Sequence, residues 1–91
     1  MTIEEALTLW ETIIPREEAT RLNLYPEPWV IRLWCSKYSF AELSYAVDVA
    51  AHKIQTCELQ RNVETVGRYI TGILRRNHEV EEAIAARVVL R

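Results

Sequence analysis

Apolar residues recur along this chain at steps of three and four, the period of an α-helix, rather than at the step of two that marks a half-buried strand. Thr2 and Glu5 form a capping-box pair, in which hydroxyl and carboxylate satisfy amides left open in a first helical turn. Behind them Ile3, Ala6, Leu7, Trp10, Ile13 and Ile14 make one stripe, predicting a helix over residues 2–14. Pro15 cannot continue that helix but suits the first turn of another, where no amide hydrogen is needed. The second helix is expected over 15–24, with Glu17 and Glu18 near its positive end. The segment Tyr25-Pro26-Glu27-Pro28 is the clearest break, since each proline pushes its predecessor out of the helical region. A third, mostly apolar helix is predicted over 28–37. Ser39 and Glu42 form a second capping box, opening a helix over 39–58 whose stripe is Phe40, Leu43, Val47, Ala50, Ile54 and Cys57. Asn62 caps a fifth helix over 62–77, with Val63, Val66, Ile70 and Ile73 on one side and Tyr69 and Leu74 widening the stripe. Asn77-His78 reads as a break or bend before a last helix over 79–90.

The expectation is therefore an all-α fold, one domain over 1–91 built as a compact bundle of about six helices. Composition agrees. Two glycines and three prolines among 91 residues are too few for the turns of a sandwich or barrel, and 49% hydrophobic with 26% charged residues is the balance of a globular chain. Gly67 and Gly72 both fall inside the fifth helix, where each weakens it by about 1 kcal/mol relative to alanine. A close approach of a neighbouring helix at each is the expected reason, with a kink or a backbone surface for a ligand as the alternative. Apolar runs are too short to span a bilayer, and the acidic start MTIEEALTLWE lacks a signal-peptide pattern, so no membrane and a cytoplasmic location are expected. Two cysteines, Cys35 and Cys57, are expected to be reduced and buried.

Charge is unevenly placed. The net value of −2 divides into −4 over residues 1–52 and +2 over 53–91, where Arg61, Arg68, Arg75, Arg76, Arg87 and Arg91 lie. Arg68 and Arg75, seven residues apart, share a helix face on which guanidinium groups can meet phosphates. Trp10, Trp29 and Trp34 crowd the first half. Trp10 and Trp34 sit within apolar stripes and are read as core, whereas Trp29 at a helix start is less firmly placed there; stacking on single-stranded bases beside Arg21, Arg32 and Lys37 is the alternative use of the aromatics.

No catalytic apparatus emerges. HExxH, GxSxG and phosphate-cradling glycine loops are absent. Asp48 and His52 stand one turn apart, without a nucleophile placed beside them by local spacing. His52, His78, Cys35 and Cys57 suit zinc by type, but the nearest pair, His52 and Cys57, points about 140° apart on a helix. The chain is therefore expected to be no enzyme, with no metal, cofactor or small-molecule substrate.

Two motifs carry a resemblance. Phe40-Ala-Glu-Leu-Ser-Tyr-Ala46-Val-Asp-Val-Ala50 resembles a helix of the form "ELI..AI..A", and Val66-Gly-Arg-Tyr69-Ile70-Thr-Gly-Ile73-Leu74-Arg-Arg resembles a "Y(I/V)..IL..W" signature. In this order, over about 34–77, the chain resembles the C-terminal helical domain of DnaD-type replication proteins of bacterial primosomes and phages. It departs from that pattern at Asn77, where the family has tryptophan. The resemblance implies a non-catalytic DNA-binding or primosome-assembly accessory module of a bacterial, phage or plasmid replication system. Its nucleic-acid contacts would be Arg68, Tyr69, Arg75 and Arg76, and its partners single-stranded or forked DNA and replication proteins. The alternative, drawn from the residues themselves, is a small interaction adaptor or homo-oligomer with no nucleic-acid role. That reading rests on the acidic net charge and on Val80, Ile84, Val88, Val89 and Leu90, which are more apolar surface than a terminal helix needs. A mobile-element antagonist of a host factor is a lesser alternative.

Overall fold

The two capping boxes set the first and fourth helices. In the computed structural model, which describes residues 1–89 with side chains through Ile84, Thr2 Oγ1 accepts from the Glu5 amide at 3.1 Å while Glu5 Oε1 accepts from the Thr2 amide at 2.9 Å. Helix α1 (Ile3–Trp10) follows. It stops four residues short of the predicted end, because Thr12 and Ile13 donate to carbonyls only three residues back and Pro15 forbids continuation. Helix α2 (Arg16–Leu22) uses Pro15 as its N-cap and ends at Asn23, whose φ of 54° is the left-handed turn that asparagine tolerates. Helix α3 (Pro28–Lys37) matches its predicted bounds, with Pro28 in the first turn.

Helix α4 (Phe40–Gln55) repeats the capping box through Ser39 and Glu42. It ends before the predicted Glu58 because Cys57 adopts φ 61°, and the amides of Glu58 and Leu59 fold back onto the Lys53 carbonyl. Cys57 is therefore exposed rather than buried, and Cys35 is half-buried, its thiol 3.6 Å from the Thr2 carbonyl. Helix α5 (Val63–Val89) starts as expected, Asn62 Oδ1 accepting from the amides of Glu64 and Thr65. It then runs through Asn77-His78 without a break. As far as Val89 the two predicted helices, over 62–77 and 79–90, are one, so the described residues form five helices and not six. Neither Asn77 nor His78 removes a backbone donor or demands a positive φ, and their modest propensity cost does not stop a helix already propagating.

The described chain is all-helical, with no strand. Helix α4 packs between α1 and α5, and α3 lies on α1. At their junction Trp10 and Trp34, both fully buried, tilt against each other with centroids 6.4 Å apart. Each indole N–H finds an acceptor, Trp10 on the Leu24 carbonyl and Trp34 on the Thr71 hydroxyl, both at 2.9 Å. Ala6, Ile14, Leu43, Val47, Ala50, Val66, Ile70 and Leu74 are among the other members of this core. Phe40, expected on the buried stripe of α4, is instead 46% exposed at the helix start. No described core residue lies beyond Leu74 in the chain, so the distal part of α5 projects and stretches the molecule to 53 × 29 × 17 Å.

Candidate functional site

The Tyr25-Pro-Glu-Pro28 break leaves α3 displaced from the first half of α5, and the space between them is a groove of about 1080 Å³. Its one wall is Leu24, Tyr25, Trp29, Val30 and Leu33; the opposite wall is α5 from Val63 to Arg75. The wall residues of α5 include Glu64, Gly67, Arg68, Thr71, Gly72 and Arg75, the spacing of one helix face.

Gly67 and Gly72 belong to this groove. A Cβ built on either meets no other atom within 4 Å, so no neighbouring helix presses on them and the expected close approach is corrected. Their missing side chains deepen the groove instead. Thr71, between them, turns its hydroxyl inward, donating to the Gly67 carbonyl at 2.9 Å and accepting from Trp34. The glycine side of the groove is thus tied to the core by a hydrogen-bonded chain.

Of the four residues expected to contact nucleic acid, Arg68 and Arg75 line the groove and are exposed. Arg76 is exposed but lies off its wall, a turn of about 100° from Arg75. Tyr69 is half-buried and packs against the core, which uses its ring as filling. The structure therefore joins two of the four and separates the others. Trp29, left open between core and a base-stacking surface, was not among the expected contacts. It is 66% exposed on the groove rim, and its position before the apolar run of α3 is the only sequence signal that marked it.

Electrostatics differ among the groove's three guanidinium groups. Arg61 grips both oxygens of Glu18 at 3.0 and 2.7 Å, which ties the α4–α5 connection to α2 and holds the Glu18 carboxyl below its ordinary value. Arg68 pairs with Glu64 one turn earlier. Among the described ion pairs Arg75 makes none, leaving its charge facing the groove. Glu27 and Glu64 also line the space, so its field is mildly rather than strongly positive.

No protein-family model matches this chain, and no curated protein or solved structure is significantly similar to it. The groove's own chemistry must carry the functional argument.

Of the residues proposed for partner binding, Val80 and Ile84 are 53% and 57% exposed, four apart on one side of projecting α5. The side chains of Val88 and Val89, and the whole of Leu90, lie outside the described residues. Asp48 and His52 are both exposed on α4. No described helix is long and apolar enough to cross a membrane.

Proposed function

We propose that this chain is a non-catalytic binding module that captures single-stranded nucleic acid in the α3–α5 groove, as an accessory component of a replication system. One observation carries the reading: a largely exposed tryptophan, Trp29, shares an open, glycine-lined groove with Arg68 and the unpaired Arg75. An exposed indole offers a stacking surface to any base, worth about 1–3 kcal/mol per base, and guanidinium groups supply phosphate contacts. Glycines let a sugar-phosphate chain lie close to the helix backbone. The resemblance of residues 34–77 to the DnaD-type domain supplies the replication setting, with partner proteins docking on other helix faces. Asn77 in place of the family's tryptophan leaves Trp29 as the stacking aromatic.

Trp29 also makes the test direct. Trp10 and Trp34 are fully buried, so quenching of tryptophan fluorescence by a labelled-free oligonucleotide reports on Trp29. Single-stranded DNA is expected to quench it at low salt, and fluorescence anisotropy with labelled single-stranded and forked DNA is expected to give matching affinities. Trp29→Ala should weaken binding about 5- to 150-fold, the range set by one base stack. Absence of binding at low salt and micromolar protein refutes the reading.

A second reading is favoured by Val80 and Ile84, apolar side chains exposed together on the projecting part of α5. It makes the chain an adaptor or homo-oligomer that buries this face against protein. Light scattering separates the two: a monomer that binds DNA supports the first, and a stable dimer indifferent to DNA supports the second.

A further inference from the structure

We propose that Glu42, His78 and Glu81 form a binding site for a divalent ion of the zinc type on the seam between α4 and α5. Glu42 comes from the first turn of α4; His78 and Glu81, three apart, come from one face of α5. One ligand atom from each lies within 4.8 Å of the others.

The surroundings of Glu42 favour a cation there. Its Oε1 is committed to the capping box, accepting from the Ser39 amide at 3.1 Å. Its Oε2 is cut off from solvent and has no hydrogen-bond partner. A carboxylate oxygen shut away from water without a donor is costly, and a cation removes that cost. His78 Nδ1 stands 3.6 Å from it, an ion pair when the imidazole is protonated. That separation exceeds a hydrogen bond, but it is close to the edge of about 3.4 Å that joins two ligands 2.0–2.1 Å from a tetrahedral zinc.

The imidazole also has a carboxylate beside its other nitrogen, as a metal-bound histidine has. Its other nitrogen, Nε2, lies 3.1 Å from Glu82 Oε1, the carboxylate-to-histidine contact that fixes tautomer and ring plane in zinc sites. The ring of Tyr38 stands at 90° to the imidazole with centroids 5.8 Å apart, which limits the ring's rotation. An imidazole with two carboxylates selects zinc or a similar transition ion over calcium or magnesium, which ask for six or more oxygens. Three protein ligands leave a fourth position for water. The continuity of α5 through Asn77-His78 is what places His78, Glu81 and Glu82 on one face. An ion here would pin the projecting half of α5 to the start of α4.

Calorimetric titration of the metal-free full chain with zinc chloride tests the proposal. One ion per chain is expected, and cobalt(II) should give the visible absorption of a four-coordinate site. Glu42→Gln keeps a side chain able to complete the capping box, and His78→Gln keeps a half-exposed polar residue. Each should weaken zinc binding at least about 10-fold, and Glu82→Gln should do so about 10-fold through loss of the orienting contact. A Cys35→Ser, Cys57→Ser double variant should bind as the parent does. The proposal fails if no ion binds at millimolar concentration, if binding is lost with the cysteines, or if it is unchanged by Glu42→Gln and His78→Gln. The site shares no residue with the groove, so loss of DNA binding in Arg75→Gln leaves this result independent.

Discussion

Trp34 illustrates how one side chain joins the core to the groove. It is fully buried, yet its indole N–H ends on the half-buried Thr71 hydroxyl, which in turn donates to the Gly67 carbonyl. Thr71→Val, nearly isosteric, leaves that N–H without an acceptor and should cost about 1–3 kcal/mol, measured by urea unfolding. Thr71→Ser restores a hydroxyl and should recover most of it. Gly67 and Gly72 make an opposite prediction. Neither has a positive φ, and an added Cβ meets open space at both, so Gly67→Ala and Gly72→Ala should each stabilise the fold by about 1 kcal/mol. The same methyl groups narrow the groove, so each variant should bind single-stranded DNA more weakly while melting at higher temperature. A gain of stability with unchanged DNA affinity would remove the glycines from the interface. Their position within a helix was plain in the sequence; that they face a groove was not, because helical periodicity gives a residue's angle but not what stands opposite it.

At the scale of elements, caps and acidic anchors fix where helices begin and how they are held. Ser39→Ala removes the acceptor for the Glu42 amide and should cost about 0.5–2 kcal/mol by thermal or chemical unfolding. Two other carboxylates act between elements. Glu11, at the end of α1, accepts from Tyr25 Oη at 2.7 Å and Arg16 Nε at 3.1 Å, and these bonds hold its carboxyl below the ordinary value; Arg61 does the same for Glu18. A folded-state pKa below the unfolded one means that the unfolded chain binds protons more readily in acid. The resulting stability is present above the unfolded value near 4.5 and is lost as pH falls through the lowered folded values. The melting temperature is therefore expected to drop below about pH 4.5, and Glu18→Gln should flatten part of that drop. The Glu18–Arg61 pair is about a third exposed, so its effect at neutral pH is small, whereas the Glu11 carboxylate is more enclosed. The caps were legible because a capping box is local, whereas Glu18 and Arg61 are 43 residues apart and meet only in the folded chain.

Over the whole molecule, charge sets how a nucleic acid would be held. The chain is acidic overall, and of the groove's guanidinium groups two are already paired, so binding should fall with salt less steeply than in a strongly basic protein. Each phosphate neutralised on a single strand contributes about −0.7 to the slope of log K against log salt. Arg75→Gln should make that slope shallower by about this amount, and Arg68→Gln should change it less because Glu64 already shares its charge. A slope unchanged in both variants would place the phosphates elsewhere, with Arg76 the next position to alter. By itself the sequence determined the helical class, five helix starts, the α4 stripe from Leu43 to Ile54 and the burial of Trp10 and Trp34, since capping and periodicity act over a few residues. Only tertiary structure decided that α5 runs unbroken past Asn77, that Tyr69 turns into the core while Trp29 stays outside, and that Glu42 meets His78. Those outcomes depend on which helix faces which across the core, and that choice is made by packing between residues far apart in the chain.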